Sequence, residues 1–119
     1  MTLVNLIAEV DETRPNQYDK TIKTRWVNEI EAKVIDEVIN RAKGFDVEFQ
    51  PLDYDIDGER ELTIPDQFAD VYINYLYSKI DYTQNEIDRY NNDVATFNAS
   101  YRDFSAWHIR HHYPKAVIK

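Results

Sequence analysis

The chain has 119 residues, of which 22 are acidic and 14 basic, giving a net charge of −8; it has no Cys and two Gly. That length admits one domain and one modest core, burying roughly 65% of the unfolded surface. The missing Cys excludes disulfides, thiol catalysis and Cys-ligated zinc. Two isolated glycines exclude the P-loop and the dinucleotide fingerprint, and the acidic balance argues against phosphate-driven affinity for DNA.

No apolar run approaches membrane-spanning length, and the first residues lack the charged start and cleavage site of an export signal. The expectation is a soluble, all-α module. Leu3, Leu6, Ile7 and Val10 recur at helical spacing behind Thr2, a residue type that caps orphan N–H groups, and predict a short first helix. Pro15 ends it by pushing Arg14 out of the helical region.

A long helix is predicted over 19–43. Ile22, Trp26, Ile30, Val34, Val38 and Ala42 recur every fourth residue, and Val27, Ile35 and Ile39 form an adjacent stripe. Asp19 stands at the cap position, Arg41 and Lys43 suit the negative C-terminal end, and Gly44 suits a left-handed terminator.

Residues 45–64 break the helical period. Phe45, Val47 and Phe49 alternate with polar residues, as in a short strand or extended arm, and Pro51 ends the alternation. Positions 46–61 hold seven acids against Arg60 alone, so a solvated acidic loop or hairpin is expected, ordered by a partner if at all.

Pro65 then opens a helical region over about 65–112. Ile73, Leu76, Ile80, Thr83, Ile87, Tyr90, Val94, Phe97, Tyr101 and Phe104 keep a heptad-like seam. The weak helix formers around Thr83-Gln84-Asn85 and Asn91-Asn92-Asp93 leave open whether this is one long helix or two. A seam this long needs cover, which the helix over 19–43 supplies in part; a neighbouring subunit is expected to supply the rest, at Tyr72, Tyr75, Tyr90, Phe97, Tyr101 and Phe104. Residues 1–106 hold 11 basic and 22 acidic residues, whereas 107–119 carry Arg110, Lys115 and Lys119 with no acid. Pro114 stops the helix, so the division expected is a helical domain over 1–113 and an extended tail over 114–119.

Candidate chemistry is sparse. Asp53-x-Asp55-x-Asp57-Gly58 matches the opening of a calcium loop, but the twelfth position is Ile64 rather than a bidentate Glu, and Pro51 disrupts the incoming helix. His108, His111 and His112 have the spacing for a shared metal but lack an intervening Glu, and suit the negative end of a helix equally well. No metal site, cofactor or catalytic residue is expected. Ser78, Ser100 and Ser105 have no glycine elbow, and the carboxylates are spread as on a solvated surface. The tyrosines sit amid negative charge, which fits protein contact better than base stacking. Asn98-Ala99-Ser100 matches a glycosylation acceptor without an export signal to expose it to that machinery.

Several segments together resemble the head–tail connector (head-completion adaptor) proteins of long-tailed bacteriophages, common in prophages of Gram-positive bacteria. They are Arg14-Pro15-Asn16 with Tyr18, Arg25-Trp26-Val27-Asn28-Glu29-Ile30, Asp36-Glu37-Val38-Ile39, Ile64-Pro65, Asp70-x-Tyr72-x-x-Tyr75-Leu76 and Ile80-Asp81-Tyr82. Beyond these come Glu86-Ile87-x-Arg89-Tyr90-Asn91-Asn92, Phe97-Asn98, Tyr101-x-x-Phe104 and Arg110-x-His112-x-Pro114. The resemblance rests on their order and spacing over nearly the whole chain. It implies a structural protein of the virion neck, made in the host cytoplasm. Such a subunit joins the portal protein as a ring (a dodecamer in the family), extends the DNA channel without gripping the DNA, and docks the stopper or tail-completion protein. It also implies that residues 107–119 reach the portal, through Trp107, His108, Arg110, His111, His112, Tyr113, Lys115, Val117 and Ile118. Family members often carry Gly near the position of Asn85. The alternative is an acidic DNA mimic that occupies a host nucleic-acid-binding protein with the carboxylates of residues 46–61.

Overall fold

The first helix, α1 (Leu3–Thr13), starts where Thr2 accepts the Asn5 N–H on its hydroxyl, and it buries Leu3, Leu6, Ile7 and Val10. In the computed structural model, which describes residues 1–41 and 44–112, the protein is all-α, and no strand occurs among those residues. Beyond Arg14 the chain turns at Pro15 into α2 (Lys20–Glu37), capped by Asp19 on the Thr21 N–H. Trp26, Ile30, Val34 and Val38 are buried along the expected stripe, and Val27 and Ile35 beside it.

α2 ends six residues before the expected limit. After Val38 the chain tightens into a 3-10 turn, Ile39–Arg41. Asn40 stands there, and its side chain pairs with both backbone groups of Val47, donating to the carbonyl at 2.9 Å and accepting the N–H at 2.8 Å. That amide clamps the returning chain, a local competition with the helical ladder in which Asn excels. Ala42 and Lys43 lie outside the described residues, and Gly44 follows with a φ of 92°, in the left-handed region.

Residues 45–64 are not a hairpin, and they are not free in solvent. Residues 45–50 form neither helix nor strand and are largely exposed, a single helical turn α3 (Tyr54–Asp57) follows, and one isolated bridge joins Thr2 to Glu61. Leu52, Leu62 and Ile64 enter the core while the acids between them point outward. The segment is pinned to α2 from both sides. Asn28 exchanges two hydrogen bonds with the Leu52 backbone, and Glu31 accepts the N–H and the hydroxyl of Thr63. Three buried aliphatic side chains, each stabilising by about 1.5–3 kcal/mol, offset the solvation preference of the acids, which is why the segment is ordered within one chain.

Pro65 precedes a 3-10 turn, Asp66–Phe68, and then α4 (Asp70–Thr83) and α5 (Ile87–His112) form an antiparallel hairpin. The elbow is at Gln84, Asn85 and Glu86. Asn85 has a φ of 60°, and the Glu86 N–H donates back to the Asp81 carbonyl at 2.8 Å. α5 runs through Asn91-Asn92-Asp93 without interruption. The seam read as one stripe is therefore two stripes facing each other: Tyr75 meets Phe97 with ring centroids 5.5 Å apart, and Tyr82 meets Tyr90 at 5.2 Å. A heptad pattern does not register the break because three residues at the elbow reverse the chain without disturbing the spacing on either side.

Candidate docking surfaces

Two surfaces were expected to meet other proteins. Along the hairpin, Tyr72 and Phe104 are 0% and 1% exposed. Their surface is taken up by the chain's own core, which corrects the expectation that they face a neighbour. Tyr75, Tyr90, Phe97 and Tyr101 are half-buried, and the first three, with Tyr82, Lys79 and Val94, edge a groove of about 430 Å³ between α4 and α5. Tyr82, on its lining, is 63% exposed, and Ile87 at the elbow is 50% exposed.

The hydroxyls of Tyr75 and Tyr101 are committed to α2. Tyr75 donates to Glu29 at 2.8 Å and Tyr101 donates to Glu37 at 3.0 Å, so carboxylates two turns apart staple the hairpin to α2. Burial, followed by the bonded carboxylate, raises the pKa of each phenol and keeps both protonated as donors. Lys33 bonds the Glu37 carboxylate at 3.0 Å and, aided by Tyr101, holds it below its ordinary value against the opposing effect of burial. Lys79 lies over the Tyr75 ring at 5.3 Å and reaches Glu29 at 3.3 Å. The sequence shows acids and tyrosines on both elements but not which pairs meet.

At the far end of α5, residues 107–112 form the last turns of the helix. Trp107 packs on Phe68 with centroids 5.3 Å apart, and His108 is 4% exposed, inside the domain. This corrects the expectation that His108 reaches outward, while Trp107 is half-buried. His108 and His112 stack at 3.9 Å with planes 16° apart, and Phe45 abuts both rings edge-on. Burial and the neighbouring His112 lower the pKa of His108. His111 stacks on Trp107 at 4.7 Å, and the Nδ1 atoms of His111 and His112 pair with the carbonyls of Trp107 and His108. Arg110, His111 and His112 are exposed, as is Ile109 between them and His108. Tyr113, Lys115, Val117 and Ile118 lie outside the described residues. No family model, curated protein or solved structure matches this chain.

The acidic segment does structural work with its carboxylates. Asp53 accepts the N–H groups of Asp55 and Ile56, Asp57 accepts the Asp53 N–H at 2.8 Å, and Asp55 pairs with Lys20 at 3.0 Å. Asp53 and Asp57 thus bond the backbone of this one helical turn, with Asp53 and Asp55 exposed and Asp57 half-buried. Among the described residues no three His, Asp or Glu side chains converge as metal ligands, and no helix is long and apolar enough to cross a membrane.

Sequence reasoning missed one polar cluster. Arg14 Nη1 donates to Asp81 Oδ2 and, at 3.4 Å, to Asp93 Oδ2, while its guanidinium lies 4.0 Å above the Tyr77 ring. Asp81 and Asp93 are buried. The signal was present: Asp93 stands three residues after Tyr90 and four before Phe97, which puts a carboxylate on the apolar stripe.

Proposed function

We propose that this chain is a structural subunit of a phage neck, a head-completion adaptor that joins the portal as a ring, extends the DNA channel and docks the stopper or tail-completion protein. The observation that carries the reading is the charge division along α5. The helix belongs to a body of 11 basic and 22 acidic residues, and its last turns begin the stretch, 107–119, that has three basic residues and no acid. An acidic body repels DNA phosphate and lets the duplex slide, while a basic end is steered onto an acidic surface of the portal. The ordered series of segments shared with head–tail connectors supports the same reading, as does the all-α fold. Exposed Tyr82 and Ile87 at the elbow, far along the hairpin from that end, offer apolar surface for a second contact, and two different patches on one subunit make the head-to-tail interface that closes a ring.

Because His108 is buried and Trp107 packs on Phe68, the decisive variant removes residues 113–119 alone. Mixed with portal rings of its own genome, the intact chain is expected to add a ring of density, and the shortened chain to keep its helical circular dichroism but bind no portal. Portal rings left bare by the intact chain, together with normal joining of filled capsids to tails in its absence, overturn the proposal. Binding to a host nucleic-acid-binding protein that DNA and salt compete away would favour the mimic instead.

A further inference from the structure

Two buried carboxylates face one guanidinium where α1, α4 and α5 meet, just below the hairpin elbow. Arg14 follows α1, its N–H donating to the Val10 carbonyl at 2.7 Å; Asp81 is in the last turn of α4, and Asp93 is in the second turn of α5. The same nitrogen, Arg14 Nη1, meets the Oδ2 atom of both acids. Asp81 Oδ1 is buried and has no hydrogen-bond partner among the described residues. Arginine stays charged at any working pH, so two ionised carboxylates here would leave one negative charge uncompensated away from water. They would also leave a buried acceptor without a donor. A single proton removes both penalties, bringing the cluster to zero charge and supplying the donor that Asp81 Oδ1 lacks.

We propose that Asp81 and Asp93 share one proton beneath Arg14, and that this proton is the catch of a pH-sensitive latch holding the α4–α5 hairpin to the end of α1. The latch is independent of what the protein docks to.

The surrounding groups leave the proton in place. From α1 and α2, Asp11 and Lys23 pair with each other at 2.6 Å, and Asn16 joins both to the Arg14 carbonyl. On α4, Tyr77 lies under the guanidinium and its hydroxyl meets Thr13 Oγ1 at 2.6 Å. At the elbow, the Glu86 side chain pairs with Arg89 at 3.5 Å, and the Tyr82 and Tyr90 rings pack together. Arg14 is thus the cation bonded to the pair. Burial, then the hydrogen bond and charge of Asp81, push Asp93 up to about 7 against the pull of Arg14.

The folded protein therefore keeps a proton that the unfolded chain releases near the ordinary Asp value of 3.8. Stability from this pair is complete below about pH 4 and falls as pH rises to about 7. Its contribution to the folding equilibrium constant falls by up to about tenfold per pH unit, and is level above that.

Three measurements test this. In a carbon-13 titration of the native protein, one of the two aspartate carboxyls is expected to keep its proton to near neutrality; both titrating below pH 5 overturns the shared proton. Asp93→Asn supplies a permanent donor, so the ratio of its folding equilibrium constant to that of the unsubstituted protein is expected to grow from pH 4 to pH 7. A constant ratio overturns the linkage. For the latch itself, the amide exchange protection factor at Arg14 is expected to drop between pH 4.5 and 7, and to stay level in Asp93→Asn. An unchanged protection factor at Arg14 in the unsubstituted protein overturns the latch.

Discussion

Tyr72 donates its hydroxyl to Glu31 Oε1 from inside the core, and the same hydroxyl accepts the Ile64 N–H at 2.8 Å. Burial first, then the charge and hydrogen bond of Glu31, raises the Tyr72 pKa well above the usual phenol range, so it stays a donor. With the second Glu31 oxygen on Thr63, one buried carboxylate fastens residues 63 and 64 to α2 and α4 together. Tyr72→Phe leaves the Ile64 N–H without an acceptor and one oxygen of a buried charge without a donor. The expected cost is about 2–3 kcal/mol, read as a lower urea midpoint with unchanged slope. Glu31→Ala strips partners from Thr63 and Tyr72 at once and is expected to cost more.

The two glycines are held for different reasons, and substitution separates them. At Gly58 an added Cβ would lie 2.6 Å from Val4 Cγ2 and 2.8 Å from the Tyr54 carbonyl oxygen, while the Gly58 carbonyl accepts the Val4 N–H at 3.0 Å. Its backbone is right-handed, so the constraint is space, not dihedral freedom. At Gly44 the φ is 92° and nothing lies within 4 Å of the added atom. Gly58→Ala is expected to cost about 1–3 kcal/mol by overpacking, and Gly44→Ala about 1 kcal/mol by backbone strain alone. Asn at position 44 should recover most of that loss, and Asn at 58 none of it, in thermal melts.

The helices of the first 37 residues were legible because their signals are local. Thr2 and Asp19 cap the helices they precede, and Leu3, Leu6, Ile7, Val10, Trp26, Ile30 and Val34 lie on the faces their spacing dictates. What was hidden depends on which distant residues meet. Asn40 ends α2 early through Val47, and Leu52, Leu62 and Ile64 bring an acidic segment into the core, contacts that neither composition nor period encodes. The hairpin was half legible: the weak helix formers marked two possible breaks, and the chain uses the first, where Asn tolerates a left-handed backbone. Of the docking residues, the sequence placed Tyr90, Phe97 and Tyr101 on the seam and Tyr75 beside it. It could not tell them from Tyr72 and Phe104, because exposure depends on what packs opposite.

Asn85 carries the turn that makes the hairpin, at a φ of 60°. Asn tolerates this region better than other side chains that have a Cβ, and β-branched residues tolerate it least. Asn85→Val is expected to destabilise by about 1–2 kcal/mol. Asn85→Gly should fall near neutral, since relief of the positive φ is offset by the added freedom of the unfolded chain. If both variants melt with the unsubstituted protein, the elbow does not hold the dihedral described.

Arg14 bonds both Asp81 and Asp93, so removing it strands buried acid. Arg14→Met keeps much of the apolar stem over Tyr77 but supplies no donor to either acid. The expected loss at pH 7 is about 3–5 kcal/mol, the range for breaking a buried pair from one side. The double variant Arg14→Met, Asp93→Asn should recover part of it, and a urea double-mutant cycle reads the coupling directly.

The far end of α5 responds to acid with the opposite sign. His108 Nε2 is buried without a hydrogen-bond partner among the described residues, and His112 stacks on the same ring. Burial, followed by the charge of His112, lowers the His108 pKa from its ordinary value of 6.5. The unfolded chain therefore takes up a proton near pH 6.5 that the folded state resists, and stability present above that pH declines as pH falls through the lowered folded value. His108→Leu removes both the titration and the unpaired nitrogen while keeping apolar contact with Phe45 and Phe104. It is expected to be more stable than the unsubstituted protein by about 1 kcal/mol at neutral pH. The gap should widen between pH 6.5 and 5, measured as the difference in Tm; a gap that narrows toward pH 5 would mean that His108 accepts its proton without opening the packing around Phe45.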